Sequence, residues 1–201
     1  MCGECLADPP AFDATIAAFQ YRFPLDRLVQ AFKFNENLAL AQLFADAMIA
    51  AVRTHADTGT DTFPDRIVAL PLAARRLATR GFNQSAVLAE RVAQNLGIAY
   101  AARGMLKIRD TPPQTGLDRE ARHKNVRGAY VCESRAVAGQ HVALLDDVMT
   151  TGATMSAAAS ALKKAGAWRI SAWVLARADR LQVVDRHADR GPIDSDGAFR
   201  K

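Results

Sequence analysis

Apolar positions recur along this chain at two spacings, and the switches between them divide it into elements. After Pro24, the residues Leu25, Leu28, Val29 and Phe32 fall at helical spacing. Proline suits the first helical position because its missing N–H would have no partner there anyway. A second, amphipathic helix is predicted over residues 38–53 by the stripe Leu40, Leu43, Phe44, Ala47, Met48 and Val52, and the polar run 54–62 ends it. These two helices form a front layer. Ile67-Val68-Ala69-Leu70, stopped by Pro71, reads as a short buried strand. Asn83 or Ser85 can then cap a helix with the stripe Leu88, Val92 and Leu96, and Gly97 fits the position just past its end.

The alternation continues downstream. Residues 99–108 are predicted as one strand, followed by the turn Asp110-Thr111-Pro112-Pro113 and a polar segment to Arg127 that should form a mobile loop. Val142-Ala143-Leu144-Leu145 is a further buried strand. Residues 154–165 read as a helix with Met155, Ala158, Ala159 and Leu162 on one face and Gly166 closing it, and 170–175 supply one more strand. Strands alternating with helices mean an α/β fold: a parallel sheet with helices on both faces, whose ligands bind at the carboxyl ends of the strands. Function is therefore sought in the loops after Leu70, Ile108 and Leu145. The tail, residues 179–201, is weakly patterned and polar, and is expected to be partly disordered.

Composition narrows the class. With 50% hydrophobic and 23% charged residues the 201-residue chain is too apolar for disorder and long enough for one domain with a small appendage. No stretch approaches a membrane span, since Gln42 and Asp46 interrupt one candidate and Lys163, Lys164 and Arg169 the other. Neither a basic leader nor an apolar signal core follows Met1, so a cytoplasmic location is expected. Three cysteines make no disulfide framework. Charge is uneven: residues 66–127 hold 12 Lys/Arg against 4 Asp/Glu, a local +8, while the remainder carries 14 against 17. Basicity confined to one span suits either an anionic ligand such as phosphate or a solvated helix face.

The most informative stretch is Val142-Ala-Leu-Leu-Asp146-Asp147-Val148-Met149-Thr150-Thr151-Gly152-Ala153-Thr154. A buried strand delivers two carboxylates to its carboxyl edge, and hydroxyl residues around a glycine lead into a helix N-terminus. Free N–H groups there, with the Thr150, Thr151 and Thr154 hydroxyls, favour a phosphate, and Gly152 lets the backbone approach it. Two carboxylates beside a phosphate would repel it unless something neutral or cationic lies between. Ribose hydroxyls donating to Asp146 and Asp147, with Mg²⁺ bridging sugar and diphosphate, satisfy both. A plain helix cap needs only one such residue. Neither Gly-x-x-x-x-Gly-Lys-Ser/Thr nor Gly-x-Gly-x-x-Gly after a strand occurs, so other nucleotide folds lose weight.

This stretch resembles the 5-phosphoribosyl-1-pyrophosphate (PRPP) loop of type I phosphoribosyltransferases, a hydrophobic run followed by Asp-Asp and Thr-x-Gly-x-Thr. Upstream, Pro71-Leu-Ala-Ala-Arg75-Arg76-Leu-Ala-Thr-Arg80 follows the first strand of the sheet, and its guanidinium forks match phosphate oxygens; Arg76 or Arg80 is placed to hold a diphosphate. Together with the acid pair, Arg80-Gly-Phe-Asn-Gln84 and the later Gln114-Thr-Gly-Leu-Asp-Arg119-Glu-Ala-Arg122-His-Lys-Asn125-Val126 resemble the ComF family of competence-associated phosphoribosyltransferase-like proteins, over residues 2–177. The resemblance implies a type I phosphoribosyltransferase fold with an N-terminal helical hood over residues 13–178, PRPP as ligand, and DNA uptake beside a helicase partner. On it, Asp146, Asp147, Arg119 and Arg122 are the catalytic candidates. Thr150, Thr151, Gly152, Ala153, Thr154, Arg76, Arg80, Gln114 and Asn125 are the binding candidates.

Two departures stand out. Ala69 and Ala73 occupy positions where relatives often carry Pro and His. Full-length relatives also carry a zinc ribbon of paired Cys-x-x-Cys knuckles, of which residues 1–12 keep only Cys2 and Cys5. Cys132, His55, His123, His141 and His187 have no spacing that supplies two more ligands, so Zn²⁺ is not expected in this chain alone.

Two functions fit the pocket equally. One is transfer of phosphoribose from PRPP to a nitrogen base, in which Thr111 to Val126 closes over the leaving diphosphate. The other is a catalytically weak binding module that works through a DNA-uptake helicase. The base would meet the hood between Tyr21 and Arg53, where Tyr21, Phe32, Lys33 and Phe34 are contact candidates and the aromatics are expected to be mostly core. Direct binding of single-stranded DNA, with Phe82 as a stacking platform, ranks last because aromatic interleaving in the basic span is sparse.

Overall fold

The structure, a computed structural model, describes residues 9–35, 38–58, 62–109 and 128–178. In chain order the elements are β1 (Ala14–Gln20), α1 (Leu25–Asn35), α2 (Leu38–Asp57), β2 (Arg66–Ala69), α3 (Ala74–Arg80), α4 (Gln84–Leu96), β3 (Ala99–Tyr100), β4 (Met105–Lys107), β5 (Tyr130–Cys132), α5 (Ser134–Val137), β6 (His141–Met149), α6 (Ala153–Lys164) and β7 (Arg169–Arg177). Five strands form one sheet in the order β1-β7-β6-β2-β3, and each neighbouring pair runs parallel. Strands β4 and β5 pair antiparallel as a separate ribbon.

The near-continuous apolar runs of the central strands follow from burial on both faces. Val142 and Leu144 of β6, with Ile170, Ala172 and Val174 of β7, join the core built by α6 and the ribbon. Ala143 and Leu145, with Trp173 and Leu175, join the core built by α1, α2 and α4. Leu144 and Leu145 are both fully buried, and burial of each such side chain stabilises the fold by roughly 1.5–3 kcal/mol.

Several boundaries differ from the sequence expectation, each for a local reason. Residues 99–108 are two strands in different sheets: a turn closed by the Gly104 N–H on the Ala101 carbonyl at 3.0 Å separates β3 from β4. A Cβ at Gly104 would lie 2.8 Å from that of Ala101, so the turn needs glycine. The Arg-rich stretch expected as loop contains the helix α3, stopped by Gly81 at φ +78. Helix α2 runs on to Asp57, and β1, with small Ala14, Ala17 and Ala18, carries too little apolar bulk to have been read. Strand β6 continues through Met149, so the acid pair sits on the strand itself. Helix α2 packs on α4, β1 and β7, which leaves α1 as the part of the hood that reaches the carboxyl edge.

The topology chooses the site. From β2 the chain winds outward to β3, and from β6 it winds the other way to β7 and its neighbour β1. Loops leaving β2 and β6 therefore diverge and open a crevice at their carboxyl ends. Among the described residues no helix is long and apolar enough to cross a membrane.

Candidate functional site

A cavity of about 530 Å³ occupies that crevice. Its floor is the end of β6 with Asp146 and Asp147. One wall is the Thr150–Thr154 turn, another the segment from Leu70 through α3, and its rim includes Tyr21, Gln30 and Lys33.

The acid pair is held from several sides. Asp146 Oδ1 accepts the Ser85 hydroxyl at 2.8 Å and the Asp147 backbone N–H at 2.8 Å. Asp147 Oδ1 accepts the Val148 N–H at 2.6 Å, and its Oδ2 lies 2.9 Å from Lys33 Nζ. Burial, then the neighbouring Asp147 charge, pushes the Asp146 carboxyl up to about 7, against the opposing influence of the Ser85 and backbone hydrogen bonds and of Lys33. Asn83 caps α4 by accepting the Ser85 N–H at 3.1 Å and donates to the Leu70 carbonyl at 3.1 Å, so one residue ties the loop after β2 to the helix that presents Ser85.

At the end of β6 the chain turns at Gly152, whose φ of +79 is the left-handed conformation that glycine adopts without strain. Gly152 itself has no side chain to cap α6, and Thr151 Oγ1 accepts the Ala153 N–H at a long 3.4 Å. The N-terminus of a 12-residue helix thus opens beside the acid pair, in the arrangement that favours an anion.

The sequence-predicted residues partition clearly. Asp146, Asp147, Thr150, Thr151, Gly152, Ala153, Thr154, Arg76 and Arg80 all line one cavity. Arg80 Nη1 donates to Gln84 Oε1 at 3.2 Å, while Arg75 of the same stretch is exposed and not part of the lining. Arg119, Arg122, Gln114 and Asn125, the rest of the segment from Thr111 to Val126, Cys2 and Cys5, and the tail from 179 lie outside the described residues. Of the hood candidates, Tyr21 and Lys33 reach the cavity, whereas Phe32 is buried edge-on against Phe44 and Phe82 at centroid distances of 5.6 and 5.9 Å. Phe82, proposed above as a stacking platform for DNA, is half-buried and packs against that core.

Ser85, Lys107 and Tyr130 were not read as site residues. Tyr130, 5% exposed, has its phenol raised well above the usual range by burial and then by Asp146, partly offset by Arg76. Lys107 Nζ lies 5.5 Å from the centre of the Tyr130 ring. Both come from the ribbon on either side of the segment from Thr111 to Val126, and only tertiary pairing brings them here. For Ser85 the signal was its place directly after Arg80-Gly-Phe-Asn-Gln84.

Two adjacent carboxylates are oxygen donors of the kind Mg²⁺ accepts. Here, however, an ammonium already sits on Asp147 Oδ2, and among the described residues no group of three His, Cys, Asp or Glu surrounds one point. The pair does not fit a directly held Mg²⁺. It fits sugar hydroxyls, which are neutral and donate.

The phosphoribosyl transferase domain family matches residues 83–198, more than half of the chain. The protein is 37% identical over 180 residues to the DNA utilization protein YhgH of Salmonella typhimurium, covering 88% of this chain and 77% of that one. It is 32% identical over 179 residues to competence protein F of Haemophilus influenzae, covering 88% and 78%. The chain belongs to the ComF family of type I phosphoribosyltransferase-like proteins. Among solved structures, glutamine PRPP amidotransferase from B. subtilis is similar at a TM-score of 0.43 and 21% identity, over 67% of this chain and 26% of that one. The parallel five-stranded sheet flanked by helices is an α/β fold of the type I phosphoribosyltransferase-like kind.

Proposed function

We propose that the cavity binds PRPP and that the protein transfers phosphoribose to a nitrogen base. The observation that carries this reading is the convergence on one crevice of an acid pair, a Gly-centred turn opening an uncapped helix N-terminus, and two arginines. Each part matches one part of the ligand. The ribose diol donates to Asp146 and Asp147, the 5-phosphate takes the Thr150–Thr154 turn, and Arg76 and Arg80 face the diphosphate. Departure of the diphosphate leaves a cationic sugar centre, so the contribution of these residues is charge neutralisation at the leaving group and fixed orientation of the ring. Tyr21 on the hood side is placed to meet the incoming base.

The relatives' names, a DNA utilization protein and a competence protein, support a role for this activity in the handling of DNA. They are equally compatible with the second reading, a phosphoribosyl-binding module acting through a helicase of DNA uptake. One assay separates the two. Pyrophosphate release from PRPP is followed across a panel of purine and pyrimidine bases, alongside calorimetry of PRPP binding. Release with one base establishes the transferase; tight binding without release from any base establishes the module. No binding of PRPP at all would overturn both.

A further inference from the structure

The feature that this reading leaves unexplained is the ion pair inside the cavity. Lys33 Nζ lies 2.9 Å from Asp147 Oδ2, with the two side chains only 16% and 12% exposed. A pair this withdrawn from water is poorly screened, and its lysine is not a swinging surface cation. Helix α1 is fixed on both sides of it. The preceding Phe32 is 1% exposed between Phe44 and Phe82, and the Lys33 carbonyl accepts a long 3.4 Å hydrogen bond from Gln84 Nε2, itself on a 1% exposed residue. The chain therefore brings its own positive charge to the outer oxygen of the acid pair, the position at which a divalent cation would act.

We infer that Lys33 takes the place of the divalent cation at the acid pair, so that the site holds the ribose diol of a 5-phosphoribosyl ligand without added metal. The inference rests on the phosphoribosyl reading of the cavity. With Lys33 in place, at most one unit of negative charge remains on the acid pair, enough to accept hydroxyl donors and too little to strip water from Mg²⁺, which dehydrates reluctantly. The ammonium also fixes Asp147, whose Oδ1 already receives the Val148 N–H, so that the carboxylate meets the sugar preoriented. Lys33 is thus a positioning residue that sets the metal requirement of the site.

The test is calorimetric titration of the full chain with ribose 5-phosphate, which lacks the diphosphate that would itself recruit Mg²⁺, in EDTA and in magnesium chloride. The wild type is expected to bind equally in both. Lys33→Met is expected to bind about tenfold or more weakly in EDTA, the loss of one charge-assisted contact, and to recover most of that in magnesium. Lys33→Arg should keep the wild-type indifference to metal. Thermal melting supplies a readout without sugar: magnesium should stabilise ligand-free Lys33→Met and leave the wild type unchanged, whereas a merely structural lysine would leave both variants equally indifferent. Wild-type binding that requires magnesium would overturn the inference while leaving the phosphoribosyl reading intact. So would a Lys33→Met protein, folded by circular dichroism, that binds in EDTA like the wild type. Failure of the wild type to bind ribose 5-phosphate in either buffer would overturn the reading and the inference with it.

Discussion

The Ser85 hydroxyl donates to Asp146 Oδ1 across 2.8 Å, joining the first turn of α4 to the end of β6 over 61 residues of chain. Ser85 is 3% exposed, so this bond sets the orientation of a half-buried carboxylate from the protein side of the cavity. Ser85→Ala is expected to destabilise the protein by about 0.5–1.5 kcal/mol in urea denaturation, the usual net worth of one intramolecular hydrogen bond, since Asp146 Oδ1 keeps the Asp147 N–H. It should also weaken ribose 5-phosphate binding, and a Ser85→Thr change that keeps the hydroxyl should restore part of both.

The raised Asp146 carboxyl gives a pH signature. Its ordinary value is 3.8 and burial beside Asp147 lifts it to about 7, so the folded state holds the proton that the unfolded chain releases. This group's contribution is fully present below 3.8 and is lost as pH rises towards about 7. Asp146→Asn removes that dependence. Measured as a difference in melting temperature, the advantage of Asp146→Asn over the wild type should grow between pH 4 and pH 7 and then level off. A constant difference across that window would show that Asp146 titrates normally.

Arg76 lines the cavity on the side of the loop after β2, and Arg76→Met should discriminate between parts of the ligand. Removing one charge-assisted contact is expected to cost PRPP about 1.5–3 kcal/mol in calorimetry and to leave ribose 5-phosphate nearly unaffected. Equal losses for the two ligands would move the diphosphate away from α3.

Gly152→Ala tests the turn. A Cβ there meets only Met149 and Phe12 at ordinary contact distances of 3.6 and 3.7 Å, so the penalty is conformational. Forcing an L residue into φ +79 costs roughly 1–2 kcal/mol. The variant should melt earlier by a corresponding amount and bind inorganic phosphate more weakly, as read from amide shifts of residues 150–155. Unchanged phosphate binding in a destabilised variant would place the anion elsewhere.

Much of the site was legible because its chemistry is local. Asp146, Asp147, Thr150, Thr151, Gly152 and Thr154 lie within nine positions of one another, and strand, acid pair, glycine and helix follow in an order that a single pass can read. Arg76 and Arg80 were legible by position, since a segment that leaves a buried parallel strand must emerge at the same edge. The β3–β4 break was not, because a Tyr-Ala-Ala-Arg-Gly stretch between apolar residues has no period that separates one bent strand from two.

The sequence by itself determined the parallel α/β class, the edge of the sheet at which the candidate residues gather, and the acid pair, hydroxyls and glycine of the β6 turn, since each depends on contacts between near neighbours or on the hydrophobic period of one element. The tertiary structure alone decided that Lys33 lies on Asp147, Ser85 on Asp146, and Tyr130 in the same cavity as Asp146 and Arg76. Those pairings join residues 114, 61 and at most 54 positions apart. Their distances are set by how α1, α4 and the ribbon pack on the two faces of the sheet, and no local pattern encodes a packing angle.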